Sequence, residues 1–108
     1  MADRIEISPP AERDLDRFVE YLQEHASDSV ALRFLDRAHG TFAKLASAPF
    51  LGGRRESDSA DLSEVRVWPI KSFPRHLVLY EPITDGIRVI RVLHASQGTD
   101  LMHREDTP

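Results

Sequence analysis

The run from Asp85 to His94 constrains the fold more than any other stretch of the chain. Valine and isoleucine dominate it, and these residues favour the pleated, half-buried surface of a β-strand. Asp85-Gly86 opens the run, and Asp-Gly ahead of an apolar strand is a strong hairpin signal. A second apolar run, from His76 to Tyr80, lies just upstream. We therefore predict an antiparallel hairpin whose first strand occupies a central position in the sheet.

Ionisable side chains interrupt this last strand and require an explanation. Strict alternation gives two faces, one with Ile87, Val89, Arg91 and Leu93 and the other with Arg88, Ile90, Val92 and His94. Arg91 lies mid-strand among apolar residues, so the pattern predicts either an ion pair, for example with Glu64 or Glu81, or a contact with a partner. His94 is a candidate general acid or base, or else a hydrogen-bonded histidine that closes the strand.

A short strand and a helix are predicted at the start of the chain. Arg4 to Ser8 alternates polar and apolar residues, and Ser8-Pro9-Pro10 then favours a helix start, because serine caps the first turn and proline fits the first helical position. An apolar stripe follows at helical spacing, made of Ala11, Leu15, Phe18, Val19 and Leu22. The polar residues between them are predicted to form a solvated face, made of Asp14, Asp16, Arg17, Glu20 and Gln23.

A second helix follows after a short connection. The segment Ala26 to Ser29 breaks the first pattern and offers capping residues. The second stripe consists of Ala31, Phe34, Leu35, Ala38, Phe42 and Leu45. Because the connection is short, we expect the two helices to be antiparallel neighbours.

The remaining segments complete the predicted order of elements. Ala48-Pro49 ends the second helix, the stretch 50–55 and the acidic segment 56–61 are predicted to be loop, and the stretch 64–68 alternates like a strand. The order strand, two helices and three strands predicts an α+β fold, β-α-α-β-β-β, in which a helical hairpin packs on one face of a small antiparallel sheet. We predict one domain over residues 1–94 and a polar C-terminal tail over residues 95–108.

Composition and charge exclude several classes of function. The formal net charge is −4, which disfavours general nucleic-acid binding, although residues 48–91 carry seven Lys or Arg against six Asp or Glu. The chain has no cysteine, and its histidines are scattered, so we expect no metal and no cofactor. No apolar run approaches the length of a membrane span, and the N-terminus lacks an apolar signal core. We expect a cytoplasmic protein without membrane contact.

The order and spacing of several motifs resemble the RelE/ParE superfamily of type II toxin-antitoxin toxins, and within it the ParE-like branch. The matching pieces are Ser8 to Leu15, Phe42 to Ala46 with Pro49 and Gly52, Arg54 or Arg55 after the glycine, Phe73 with Leu79 and Tyr80, and Asp85 to Ile87 with Ile90 to His94. The resemblance implies the same fold as the pattern above. It also implies a cognate antitoxin that wraps and neutralises the toxin in a hetero-oligomer, and DNA gyrase as the target.

RelE-like relatives instead cut messenger RNA on the ribosome with basic residues and often a C-terminal tyrosine. For this activity the candidate residues are Arg54, Arg66, Arg75, Arg91 and His94, and for target binding they are Arg66, Arg75, Arg91 and His94. Family members commonly carry an arginine and then an aspartate after the histidine. Here Gln97 stands near the expected arginine, Asp100 is displaced, and no tyrosine follows Tyr80. Since RNA cleavage needs a base and cations around one phosphate, this departure favours the gyrase inhibitor. A decayed toxin that only binds its antitoxin is the third alternative.

Overall fold

Two antiparallel helices lie on one face of a five-stranded sheet in the computed structural model, which describes residues 3–54 and 64–96. The elements in chain order are β1 (Arg4–Ile7), α1 (Pro9–His25), α2 (Asp28–Ser47), β2 (Gly53–Arg54), β3 (Arg66–Ile70), β4 (Phe73–Ile83) and β5 (Gly86–His94). The predicted α+β architecture with a helical hairpin on one face is therefore confirmed. Arg55, the acidic segment 56–61 and the tail from Gln97 onward lie outside the described residues.

The sheet has the strand order β1-β5-β4-β3-β2. The strands β2 to β5 pair antiparallel, whereas β1 pairs parallel with β5, from Arg4 opposite Gly86 to Ile7 opposite Val89. The sequence did not predict β2, which lies in the expected loop 50–55 and pairs with β3 at the sheet edge. β4 is central, as predicted, because it pairs with both β3 and β5.

A register shift in the β4–β5 hairpin overturns the predicted alternation of the last strand. Tyr80 is paired with Val89, but the preceding Leu79 is paired with Arg91, so Ile90 is an extra residue in β5. Because one inserted residue reverses the faces of everything after it, Val92 joins Ile87 and Val89 in the core instead of sharing the face of Arg88.

Side-chain caps start both helices where the sequence predicts them. The Ser8 hydroxyl accepts from the Ala11 amide at 3.1 Å and also donates to the Ile90 carbonyl at 2.8 Å, so this cap fastens α1 to β5. The Ser27 hydroxyl accepts from the Val30 amide at 3.1 Å and caps α2. Each of these caps satisfies an amide that the helix itself leaves unpaired.

The core lies between the helices and the inner face of the sheet. Its largest fully buried side chains come from α2 and from the strands β3, β4 and β5. They are Phe34, Phe42, Leu45, Ile70, Val78, Tyr80, Ile87, Val89 and Val92. Full burial of one such side chain contributes about 1.5–3 kcal/mol to stability. Small residues of both helices, among them Ala11 and Ala38, are also fully buried.

Tyr80 fastens the segment that follows α2 to the sheet. Its hydroxyl donates to the Pro49 carbonyl at 2.9 Å and accepts from the Gly52 amide at 2.8 Å. A Cβ atom at Gly52 would lie only 2.6 Å from this hydroxyl, so glycine is required for the close approach. Burial of the Tyr80 ring raises the pKa of its hydroxyl, which remains a donor at neutral pH. These bonds position the start of β2.

Two glycines give a matched test of the packing. Gly40 lies inside α2 with no neighbouring atom within 4 Å of a Cβ built there, so Gly40→Ala should raise the free energy of unfolding by about 0.5–1 kcal/mol through helix propensity. Gly86 faces the backbone of Arg4, which a Cβ atom would overlap, so Gly86→Ala should destabilise the protein. Urea denaturation of both variants measures these changes, and equal effects of the same sign would contradict the β1–β5 register.

Candidate functional site

A buried carboxylate joins α1 to β5. Asp14 receives the Arg91 guanidinium in a bidentate pair at 2.7 and 2.9 Å and also accepts from the Val92 amide at 2.9 Å. Its side chain is 5% exposed. The predicted solvated position of Asp14 was therefore wrong, and the predicted ion pair of Arg91 has a different partner from Glu64 or Glu81. The bonds to Asp14 raise the pKa of Arg91.

The geometry explains why a carboxylate is needed at this position. β1 accompanies β5 only as far as Val89, and Ser8 then bonds to the carbonyls of Val89 and Ile90. Beyond that point the amide of Val92 has no strand beside it and bonds to Asp14 instead. An unpaired buried amide is costly, so the helix supplies the acceptor that a longer β1 would have provided.

A cavity of about 440 Å³ opens next to this ion pair. It lies between α1 and the neighbouring ends of β4 and β5, and it is lined by Asp14, Arg17, Phe18, Tyr21, Leu22, His76, Arg91, His94 and Ser96. Aromatic and aliphatic groups of α1 form one wall, and polar groups come both from α1 and from the strands. Such a combination of apolar walls and a few convergent polar groups is typical of a binding site.

Two histidines form the strand side of the cavity. The His76 and His94 rings meet edge to face at 5.0 Å, and His76 also contacts the Phe18 and Phe34 rings at 4.8 and 4.9 Å. Burial, assisted by the proximity of His94, lowers the pKa of His76 from 6.5 to about 4, so its ring is neutral at pH 7. The sequence indicated His94 but gave no role to His76.

His94 closes β5 through local hydrogen bonds. Its Nδ1 atom accepts from the Ser96 amide at 3.3 Å and lies 2.9 Å from the Ser96 hydroxyl. An Nδ1 atom that accepts leaves the proton of the neutral ring on Nε2. The arrangement matches the simpler of the two sequence interpretations for this residue, a hydrogen-bonded histidine at a strand end.

The other predicted site residues lie elsewhere in the fold. Arg54 and Arg66 are register partners on β2 and β3, where Arg66 donates to the Gly52 carbonyl at 2.8 Å and stacks over the Phe50 ring at 5.0 Å. Arg75 is exposed on β4 and does not line this cavity. Of the five predicted residues, the cavity thus contains two, which are Arg91 and His94.

Within the described ranges, no three histidine, aspartate or glutamate side chains come together in a way that could hold a metal ion. In the same ranges no helix is both long enough and apolar enough to span a bilayer.

Comparison with known proteins agrees with this architecture. Among solved structures, a chain of the chromosomal ParDE TA system from P. aeruginosa matches with a TM-score of 0.67 at 16% sequence identity, covering 83% of this chain and 92% of that chain. At this identity the likeness establishes the fold alone, an α+β arrangement of two helices on a mostly antiparallel sheet. A search of curated protein sequences gave no match.

The family itself follows from a third comparison, with models of protein families. The model of the family described as "ParE toxin of type II toxin-antitoxin system, parDE" matches residues 5–98. The chain therefore belongs to the ParE toxin family, which confirms the resemblance found in its motifs.

Removal of the buried carboxylate tests its structural role. Asp14→Ala leaves Arg91 and the Val92 amide without an acceptor, and we expect it to lower the free energy of unfolding by about 2–3 kcal/mol, since Arg91 remains partly hydrated. Asp16→Ala, on the exposed side of the same helix, is the control and should change stability by less than about 0.5 kcal/mol. Similar losses for both variants in urea denaturation would disprove the role assigned to Asp14.

The lowered pKa of His76 predicts a dependence of stability on pH. The unfolded chain takes up a proton near the ordinary pKa of 6.5, whereas the folded chain does so only near 4, so stability should fall as the pH is lowered between these values. The loss should be about 1–2 kcal/mol, because partial hydration screens the effect. His76→Phe should flatten this part of the profile, and the exposed control His25→Gln should leave it unchanged. An unchanged profile in His76→Phe would show that another group titrates.

Proposed function

We propose that this protein is the toxin of a parDE pair, that it inhibits DNA gyrase in the cytoplasm, and that a cognate antitoxin neutralises it. The observation that carries the proposal is the match to the ParE toxin family over residues 5–98. The gyrase target and the antitoxin are properties that the family implies. The structure supports them indirectly, through the distribution of its charged and exposed side chains.

The arrangement of the cationic residues favours inhibition by contact over RNA cleavage. Cleavage requires a base and several cations around one phosphate. Here Arg54 and Arg66 lie at the β2 edge, while Arg91 and His94 lie on β5, with β4 between the two groups. Arg91 is moreover held by Asp14 in a bidentate pair. No described set of these residues surrounds a common point, and the net charge of −4 opposes the approach of RNA.

The group around Phe50 is the best candidate for contact with a target protein. Phe50 is 69% exposed, the neighbouring Leu51 is 39% exposed, and the Arg66 guanidinium stacks on the Phe50 ring. Aromatic residues and arginine are enriched in the energetically important parts of protein interfaces. Among the target-binding candidates, Arg66 therefore has the most suitable surroundings, while Arg75, Arg91 and His94 remain further candidates.

Exposed apolar residues on the helices offer a surface for the antitoxin. Tyr21 on α1 is 56% exposed and Leu32 on α2 is 68% exposed. An amphipathic segment that covered them would remove apolar surface from water. We propose that the antitoxin binds there and forms a hetero-oligomer with the toxin.

A supercoiling assay with purified gyrase tests the proposed target. We expect the protein to abolish supercoiling, and Phe50→Ala and Arg66→Ala each to weaken inhibition by about tenfold, as expected for residues at the centre of an interface. Arg13→Ala, an exposed arginine on α1, is the control and should inhibit like the unmodified protein.

Three results would count against this function. Undiminished supercoiling at saturating protein would exclude gyrase as the target. Discrete cuts in ribosome-bound message, detected by primer extension after induction, would instead establish the ribonuclease. Growth that continues after induction without an antitoxin would indicate a decayed toxin.

A further inference from the structure

A second concavity, the basic groove, lies between α2 and β3 together with the turn that follows β3. Its volume is about 950 Å³. It is lined by Asp36, Arg37, His39, Gly40, Thr41, Lys44, Trp68, Pro69, Ile70, Lys71, Ser72 and Pro74. None of its described lining residues also lines the cavity beside Asp14, so we treat the two as separate sites.

Positive charge is concentrated in this groove. Among the described residues that line it, the cations Arg37, Lys44 and Lys71 stand against one carboxylate, that of Asp36, so these residues carry a formal net charge of +2. The whole chain carries −4. The cations of the groove attract an anionic group at short range. Salt screens charges more than about 10 Å away, so the acidic residues elsewhere on the protein repel that group only weakly.

Hydrogen bonds hold the end of the basic groove in place. The Thr41 hydroxyl donates to the Arg37 carbonyl at 2.8 Å and accepts from the Lys71 amide at 3.2 Å, which fastens the β3–β4 turn to α2. Arg37 Nε also donates to the Ser72 hydroxyl at 3.3 Å, and Ser72 adopts a left-handed φ of 70°. A groove that is already ordered loses less entropy when a ligand binds.

The wall and the floor of the basic groove suit an apolar side chain. Trp68 is half-buried, and the Lys44 ammonium lies 5.6 Å from the centre of its ring. Gly40 has no side chain, and apart from its chain neighbours and the backbone of its own helix, no described atom lies within 4 Å of where its Cβ would stand. The space over Gly40 is therefore open beside an indole ring and a cation.

We propose that the basic groove binds an acidic peptide segment of a partner protein. Carboxylates of that segment pair with Lys44 and Lys71, and an apolar side chain between them packs against Trp68 in the space over Gly40. The proposal does not depend on the identity of the toxin's target, because it concerns a surface separate from Phe50 and from the cavity beside Asp14.

The observations favour a peptide over a nucleic acid. A phosphate backbone carries closely spaced charges, and proteins that bind it make several phosphate contacts with lysine and arginine. The groove offers three cations with the carboxylate of Asp36 among them, and the rest of the protein is acidic. A peptide with a few carboxylates matches the small positive charge of the groove. One apolar side chain between those carboxylates matches the Trp68 ring.

Fluorescence anisotropy of a labelled peptide tests the proposal on the full chain. The peptide is built from glutamate around a central leucine, and a matched peptide carries glutamine in place of glutamate. We expect binding of the glutamate peptide that weakens as salt is added, and little binding of the glutamine peptide. The double variant K44Q/K71Q should bind about tenfold more weakly, as expected for two partly exposed ion pairs.

The control variant R13Q/R33Q loses the same charge from exposed helix positions outside the groove and should bind within about twofold of the unmodified protein. Gly40→Leu fills the groove without changing any charge and favours the helix, so it should also reduce binding. Circular dichroism confirms that each variant is folded.

Equal weakening in K44Q/K71Q and R13Q/R33Q, or unchanged binding in Gly40→Leu, would overturn the proposal. So would the absence of binding at low salt. Tighter binding of a single-stranded oligonucleotide that depends on Lys44 and Lys71 would reassign the groove to nucleic acid.

Discussion

The carboxylate of Asp14 supports the junction between the helices and the sheet. It takes over the hydrogen bonding of β5 at the point where β1 no longer accompanies it, and it neutralises the Arg91 guanidinium in the same place. A charge pair of this kind is weak evidence for net stability, because desolvation offsets much of the attraction. Its importance is positional, since α1 can lie in only one register along β5 when Ser8 and Asp14 are both bonded to that strand.

The same junction shapes the cavity beside it. Arg91 is bound to Asp14 at this junction, and the end of β5 beyond it places His94 beside His76. The other concavity depends on a different contact, the bonds of Thr41 to the turn after β3. The fold therefore carries two separately supported surfaces, one near α1 and β5 and one near α2 and β3. This separation fits a protein that meets more than one macromolecule.

Local chemistry made much of the fold predictable from the sequence. Ser8 and Ser27 predict the helix starts, and Asp85-Gly86 predicts the final hairpin. Each of these residues shapes the backbone of its neighbours in the chain, so its effect can be predicted locally. The inserted residue in β5 and the strand β2 depend on how a neighbouring strand pairs with them, and no pattern within either segment reveals them. The inward position of Asp14 could have been predicted in part, because it lies three residues after Ala11 and four before Phe18 and so falls on the apolar stripe of the helix.

The parallel pairing of β1 with β5 joins residues 82 positions apart, and this has a consequence for biosynthesis. While the ribosome makes the chain, α1 and α2 can form as soon as they emerge, because their contacts are local. β1 can pair with β5 only after Gly86–Val89 have been synthesised. Until then the backbone groups of β1 bond to water, and one side of the core is exposed to solvent. The native sheet is therefore completed only after most of the chain has been translated. A nascent chain that ends before β5 cannot adopt the full native fold.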